Sequence, residues 1–232
     1  MLTIEKTVLP SPAQWEIIIE GMRNPMNSWG KMDSVICHGM DGFEDCTINI
    51  SGVCPRHEDF HHDIFCIGEN DHKLMMNLAK AGTEHSKYRR MLPVITTVSA
   101  PLYFWKESDT YTFKVQNGCS TMHKIHAKEF TIDDFSHEHL GKFERGVLLY
   151  LIDALNWARQ KFLDTKDKDF WWQMIQLLPS SYNQKRTVMF NYEVLAKIYR
   201  ERKNHKLDEW HVFCDWIEQL PYSELITGNA DV

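Results

Sequence analysis

Apolar positions recur along this chain with two different periods, and the changes of period mark out its elements. Leu2–Leu9 reads as an opening strand. Ser11-Pro12 then makes a good helix start, and Trp15, Ile18, Ile19 and Met22 fall on one helical face until Asn24-Pro25 interrupts it. From there to about Asn70 the pattern is irregular, with Cys46–Ser51 as its one strand-like run. Asn70 or Asp71 is the expected cap of a helix running to Ala81, with Leu74, Leu78 and Ala81 inward and Gly82 as the stop. Pro93 leads into the β-branched run Val94–Val98, and Ala100-Pro101 before Leu102, Phe104 and Trp105 predicts a strand feeding a helix with proline at its first position. Tyr111, Phe113 and Val115 alternate with Thr110, Thr112 and Lys114, a short strand pattern that Asn117-Gly118 would close with a turn.

The second half is mostly helical in period. Thr131–Asp134 opens a linker into a long helix over about Gly141–Leu163, where Phe143, Val147, Leu151, Leu155, Ala158 and Phe162 make a stripe read as core. A second helix, about Asp167–Leu177, carries Trp171, Trp172 and Ile175, with Leu178 just beyond it; packing accounts for the paired tryptophans better than stacking on a ligand. Arg186–Phe190 is strand-like, Asn191 is a natural N-cap, and Val194, Leu195 and Ile198 form the inner face of the helix that follows. Leu207, Trp210, Cys214, Ile217 and Leu220 line one side of a last helix. The expected fold class is α+β, a mixed or antiparallel sheet with packed helices and a long C-terminal helical pair.

Composition narrows the functional classes. The 232 residues fit one large domain or two small ones, and the irregular stretch at about 37–70 reads as a His/Cys-rich insertion. A net charge of −6 argues against a broad nucleic-acid-binding face, though a small phosphate pocket would hardly alter it. No run approaches the roughly 18 apolar residues of a membrane span, and the N-terminal residues lack a signal-peptide pattern. Six cysteines at irregular spacing then point to reduced thiols and a cytoplasmic protein. Cys54, His57, His61, His62 and Cys66 are zinc-ligand residue types, but their spacing matches no standard zinc knuckle. They read as a His-rich surface loop with ordinary cysteines, and no metal is expected.

The stretch Ser99–His126 is where side chains that bury well mix with groups that grip a polar ligand. It resembles the flavin-dependent thymidylate synthases, in a divergent form often carried by phages and Gram-positive bacteria. That family's signature has an Ala-Pro pair, a glutamine, an Arg-His-Arg triplet, then Ser-x-Asn-Glu-x-Ser-x-Arg-Tyr. Laid without gaps from Ala100-Pro101, Asn117 and Ser120 fall on the Asn and the second Ser, and Glu107 falls on the glutamine. Thr110, Tyr111 and Thr112 replace the triplet, Val115 the first Ser, Gly118 the Glu, and Met122-His123 the final Arg-Tyr. Upstream, His85 corresponds to a family histidine after a shift of two residues, whereas a second falls on Met91. Downstream, Pro179, Asn191 and Arg202 keep the family spacing, Tyr182 is one place early, and His205 and Glu209 match after one deletion. The resemblance covers roughly Thr83–Glu209, in order.

The resemblance implies a single thymidylate-synthase-complementing-like domain over 1–232, the insertion at about 37–70 included, assembled as a homotetramer. It further implies methylation of C5 of dUMP, with methylenetetrahydrofolate giving the carbon and reduced flavin, as FAD, giving the hydride. Glu107, Asn117, Ser120 and Arg202 would hold the nucleotide; His85, Tyr111, Lys114 and Asn191 would lie at the cofactor. A guanidinium such as that of Arg202 suits a phosphate or a uracil edge because its donors are paired in one plane. No residue is assigned a catalytic step, because the family uses no cysteine nucleophile and the Cys119–His123 spacing carries no geometry. Lys87, Arg89 and Arg90 are cations near the missing triplet, read as a solvated helix face in preference to a phosphate contact. Two other readings stay open: the same scaffold acting on another pyrimidine nucleotide, for instance by hydroxymethylation, and a nucleotide-binding homologue without flavin. A carboxylate at Glu107 accepts but does not donate, which suits a cytosine amine.

Overall fold

The computed structural model describes residues 1–37 and 64–228. In chain order the elements are β1 (Thr3–Val8), α1 (Pro12–Met22), β2 (Val35–Cys37), β3 (Ile64–Cys66), α2 (Glu69–Lys80), α3 (Lys87–Met91), β4 (Pro93–Pro101) and α4 (Leu102–Ser108). There follow β5 (Val115–Gly118), α5 (Lys142–Thr165), α6 (Lys168–Leu177), β6 (Asn183–Asn191), α7 (Tyr192–Arg202), α8 (Asp208–Glu218) and α9 (Glu224–Thr227). The α+β class and the long helical pair, α5 with α6, are as expected. Four strands form one sheet in the order β1-β4-β6-β5, and β2 pairs with β3 antiparallel. Among the described residues no helix is long and apolar enough to cross a membrane, and no group of three His, Cys, Asp or Glu could hold a metal. Cys46–Ser51, Cys54, His57, His61 and His62 lie outside the described residues.

The residues gather into two compact units. The first comprises Met1–Thr7, Thr96–Val188 and Leu207–Phe213. In it the Thr97 and Thr187 hydroxyls meet at 3.0 Å and Leu102 N–H donates to Tyr182 O, so partner numbers fall as β4 advances and the β4–β6 pair is antiparallel. One core lies under α5 and α6: Phe130, Phe135, Leu148, Ile152, Leu155, Met174 and Tyr182. Another packs the rings of Phe104, Trp105, Tyr111, Trp210 and Phe213 edge to face or tilted.

The second unit comprises Val8–Ile95, Met189–Lys206 and Cys214–Val232. Ser11 caps α1 in a full capping box, and the expected face of Trp15, Ile18, Ile19 and Met22 is the buried one. Trp15 stacks on Phe65 and meets Tyr192 and Tyr222 edge-on. Asn191 caps α7 as expected, its side-chain oxygen accepting from Val194 N–H at 3.0 Å, over a buried face of Val194, Leu195 and Ile198.

Several expectations are corrected. Helix α2 begins at Glu69, so Asn70 and Asp71 lie inside it, and the cap comes from outside: the Asp33 carboxylate accepts from Asn70 and Asp71 N–H. Gly68 permits this approach, since a Cβ there would sit 2.2 Å from Asp33. The inward face of α2 is Asp71, Met75 and Ala79, not Leu74, Leu78 and Ala81, because the Asp71 carboxylate is satisfied inside the unit. Gly82, at φ +105°, does end that segment. Pro101 is the N-cap of α4 and the last residue of β4, one step before the expected position. The strand expected at Tyr111–Val115 lies at Val115–Gly118, so Asn117-Gly118 is strand and not turn. The alternation broke because Tyr111 is drawn into the ring core while Phe113 takes φ 59°. On α5 the buried residues are Leu148, Ile152, Leu155 and Ala158, with Leu151 and Phe162 packed against the same core, so the expected stripe holds from Leu151 onward and only Phe143 and Val147, in its first turns, are exposed. Among Lys87, Arg89 and Arg90 only Lys87 and Arg90 are solvated. Arg89 is 4% exposed and pairs with Glu193 at 2.7 Å while donating to Leu225 O.

Candidate functional site

Pro101 breaks β4 into α4, and the first N–H groups of that helix are satisfied by a neighbouring segment: Leu102 donates to Tyr182 O and Tyr103 to Ser180 O. Helix α4 then presents three side chains to fixed partners. The Tyr103 hydroxyl bonds the buried Glu209 carboxylate, Trp210 Nε1 donates to Glu107 Oε2 at 2.7 Å, and Trp105 Nε1 donates to Gln184 O at 2.8 Å. Burial and the Glu209 contact push the Tyr103 phenol well above its ordinary range, so it stays a donor. Glu107, expected at the nucleotide base, is thus an acceptor clamped by Trp210.

After α4 the chain turns through Asp109 and Tyr111 into β5. Tyr111, expected at the cofactor, is 3% exposed, its ring against Trp210. Lys114, also expected there, has a side chain only 4% exposed, and its ammonium donates to Ser108 O and Oγ at 2.6 and 2.7 Å. Asp109 Oδ1 lies 3.7 Å away. Burial pulls the Lys114 amine down to about 8, with the Asp109 charge opposing that and the Arg186 charge adding to it.

Arg186 is the group that sequence reasoning missed. Its guanidinium carbon sits 4.4 Å from the centroid of the Trp105 ring. Nε donates to Gln184 Oε1 at 2.8 Å, and Nη1 to Asp109 Oδ1 at 2.8 Å and Gln116 Oε1 at 3.1 Å. Gln184 is itself anchored, donating to Cys119 O at 2.8 Å. A signal existed. Gln184, Arg186, Val188 and Phe190 share one face of β6, the buried one, and a charge on such a face needs partners.

Asn117 and Ser120, the two positions matching the family signature, lie on or just past β5 and are exposed. Ser120 Oγ accepts from Lys124 N–H at 3.3 Å. Glu107, Tyr111, Lys114, Asn117 and Ser120 all belong to the first unit, as does Arg186. Arg202, Asn191 and His85 belong to the second unit. Arg202 is in the last turn of α7, and Asn191 opens that helix as its cap. His85 is exposed, with its N–H donating to Gly82 O.

No family model matches the chain, and none of the curated proteins matches it in sequence. Its fold, however, is found among solved structures. Thymidylate synthase X (ThyX) from Helicobacter pylori, solved with FAD and dUMP, superposes with a TM-score of 0.61 at 14% identity, covering 100% of this chain and 99% of that one. A second structure, the flavin-dependent thymidylate synthase ThyX from Helicobacter pylori complexed with FAD and dUMP, gives 0.59 at 14% identity over 97% and 95%. The chain has the flavin-dependent thymidylate synthase fold.

Proposed function

We propose that this chain is a flavin-dependent thymidylate-synthase-like enzyme of the cytoplasm, converting dUMP to dTMP with methylenetetrahydrofolate and FAD. The observation that carries the reading is the end-to-end match of fold, with nearly all of both chains covered, to ThyX solved with FAD and dUMP. Asn117, Ser120 and Arg202 are assigned to the nucleotide, with Glu107 as a fixed acceptor toward its base. His85, Lys114 and Asn191 are assigned to the cofactor, Tyr111 supporting them from the core.

A flavin dinucleotide carries a diphosphate, which is poorly held without cations. Positions 110–112 hold Thr, Tyr and Thr, yet Lys114 and Arg186 stand against the single carboxylate of Asp109, so the donor set fits an anionic group. Bound flavin would supply the hydride; the chain's own groups bind and orient. The ordinary partner of such a site is a second copy. Phe143, Val147 and Tyr150 on α5 line a shallow apolar concavity with Lys142 and Gly146, and a homotetramer would cover it.

A second reading has one observation in its favour. Trp210 clamps Glu107 as a carboxylate acceptor, which suits the amine of a cytosine nucleotide better than a uracil N–H/carbonyl edge. The test is the absorbance spectrum of purified protein after loading with FAD and desalting. A retained band near roughly 450 nm, the flavin's own property, followed by dUMP-dependent oxidation of the reduced flavin, is the expected result. Oxidation with dCMP and not dUMP selects the second reading. Colourless protein, even with nucleotide present, overturns flavin chemistry.

A further inference from the structure

Three of the five N–H donors of Arg186 are committed to Gln184, Asp109 and Gln116. Among the described residues, both hydrogens of Nη2 meet no acceptor. That nitrogen is not sealed in the interior, because the only fully buried side-chain nitrogen or oxygen without a partner there is His126 Nδ1. The guanidinium is therefore fixed from one side, by the Trp105 ring and by bonds on Nε and Nη1, and open on the other. Such pre-ordering is what a binding group needs, since little rotamer freedom remains to be lost on contact.

The charge balance points the same way. Arg186 Nη1 and Lys114 Nζ both approach Asp109 Oδ1, at 2.8 and 3.7 Å, so two cations share one carboxylate. Phe113, next to Lys114, is 81% exposed and holds φ 59°, a conformation rare for a bulky residue and one of those that cluster at ligand sites. Gly118 leaves room alongside: a Cβ there would press on Arg186 Cγ at 3.1 Å.

We propose that Arg186, with Lys114 behind it, is a phosphate-binding residue of the nucleotide or dinucleotide site, its Nη2 edge donating to a phosphate oxygen. This rests on the nucleotide reading above and adds to it the residue that takes the anion. The phosphate of a mononucleotide and the diphosphate of a flavin dinucleotide share this chemistry, and the experiment separates them.

Affinities are measured for the wild-type chain, Arg186→Gln, Arg186→Lys and Lys114→Gln, each checked by circular dichroism for retained fold. The ligands are dUMP against deoxyuridine, and FAD against riboflavin. The expected result is that wild type prefers the phosphorylated member of one pair and Arg186→Gln loses about 10- to 100-fold of that preference, the range of a charge-assisted bond. Deoxyuridine or riboflavin binding should stay within twofold, and Arg186→Lys should fall between, because it keeps charge without the fork. The pair affected identifies the source of the phosphate. An Arg186→Lys chain that folds and binds every ligand as wild type does, or an Arg186→Gln chain with the wild-type preference, overturns the proposal while leaving the nucleotide reading intact. Should no nucleotide or flavin bind, that reading fails, and inorganic pyrophosphate decides the proposal alone. A rise in wild-type melting temperature with pyrophosphate that Arg186→Gln lacks upholds it, and no difference sinks it.

Discussion

Replacing Asp71 tests the account of the second unit most sharply, because one carboxylate there joins three segments: α2, Arg23 at the end of α1, and residues 33–34. Asp71 is 0% exposed. Its Oδ1 takes Arg23 Nε and Nη2, both at 2.6 Å, and its Oδ2 takes Asp33 N–H, Ser34 N–H and the Ser34 hydroxyl at 3.0, 2.9 and 2.6 Å. Asp71→Ala leaves Arg23, itself 4% exposed along its side chain, as a buried charge without its partner. Breaking a buried pair from one side costs about 3–5 kcal/mol. The orphaned N–H groups of residues 33 and 34 hold the effect at the upper end of that range. With a urea dependence of about 3 kcal/mol per molar, the midpoint should fall by about 1 M or more. Arg23→Met should fall by a similar amount, and the double variant by less than the sum, since removing both charges leaves neither stranded. A midpoint shift below about 0.3 M for Asp71→Ala, equivalent to under 1 kcal/mol, would refute the reasoning; so would strict additivity of the pair.

Two further outcomes follow from the first unit. Burial holds the Lys114 amine at about 8, below its ordinary value of roughly 10.4, so between those limits the unfolded chain binds a proton that the folded chain has released. This group's contribution to stability therefore rises as pH increases from 8 to 10, and Lys114→Met should flatten that rise and gain most over wild type near pH 7; a melting-temperature difference that is constant with pH would contradict it. On α5, Phe143 and Tyr150 are 78% and 77% exposed. If copies of the chain meet there, Val147→Glu with Tyr150→Lys should weaken association at least about 100-fold, given roughly 1.5–3 kcal/mol per buried apolar side chain, read as a smaller mass in sedimentation or light scattering; an unchanged mass removes α5 from the interface.

What the sequence made legible is what local rules govern. Ser11 with Gln14, and Asn191 before Val194, announce helix starts because a side-chain oxygen and a nearby N–H suffice to make the cap. Gly82 marks a helix end for an equally local reason, its left-handed φ. The α2 cap was hidden because Asp33 supplies it from across the unit, and no window of sequence around Glu69 contains that residue. Likewise the first turns of α5 leave Phe143 and Val147 exposed because the residues that pack on this helix, Met174 and Phe135 among them, meet it at Leu148 and beyond, which the period of the sequence does not show. Arg89 looked like one of three surface cations, and only the Glu193 carboxylate, more than a hundred positions away, makes it a buried one.

If Arg186 takes an anion as proposed, the missing Arg-His-Arg is a case of a site that outlives its motif. A signature read along one strand presumes that the charges stand on that strand. Cys119 N–H donates to Lys185 O, and Gly118 abuts Arg186, so β6 runs directly beside β5. A cation on β6 can therefore serve the surface that a cation on the 110–118 segment would have served, some seventy positions away in sequence. Arg186 needs particular neighbours to do this: the Trp105 ring against its guanidinium, Gln184 two residues back on the same face, and Asp109 at its Nη1. Each is unremarkable alone and informative as a set. The relevant comparison between this chain and ThyX is accordingly not whether positions 110–112 are basic, but which cations stand where β5 meets β6, and here Lys114 and Arg186 both approach Asp109.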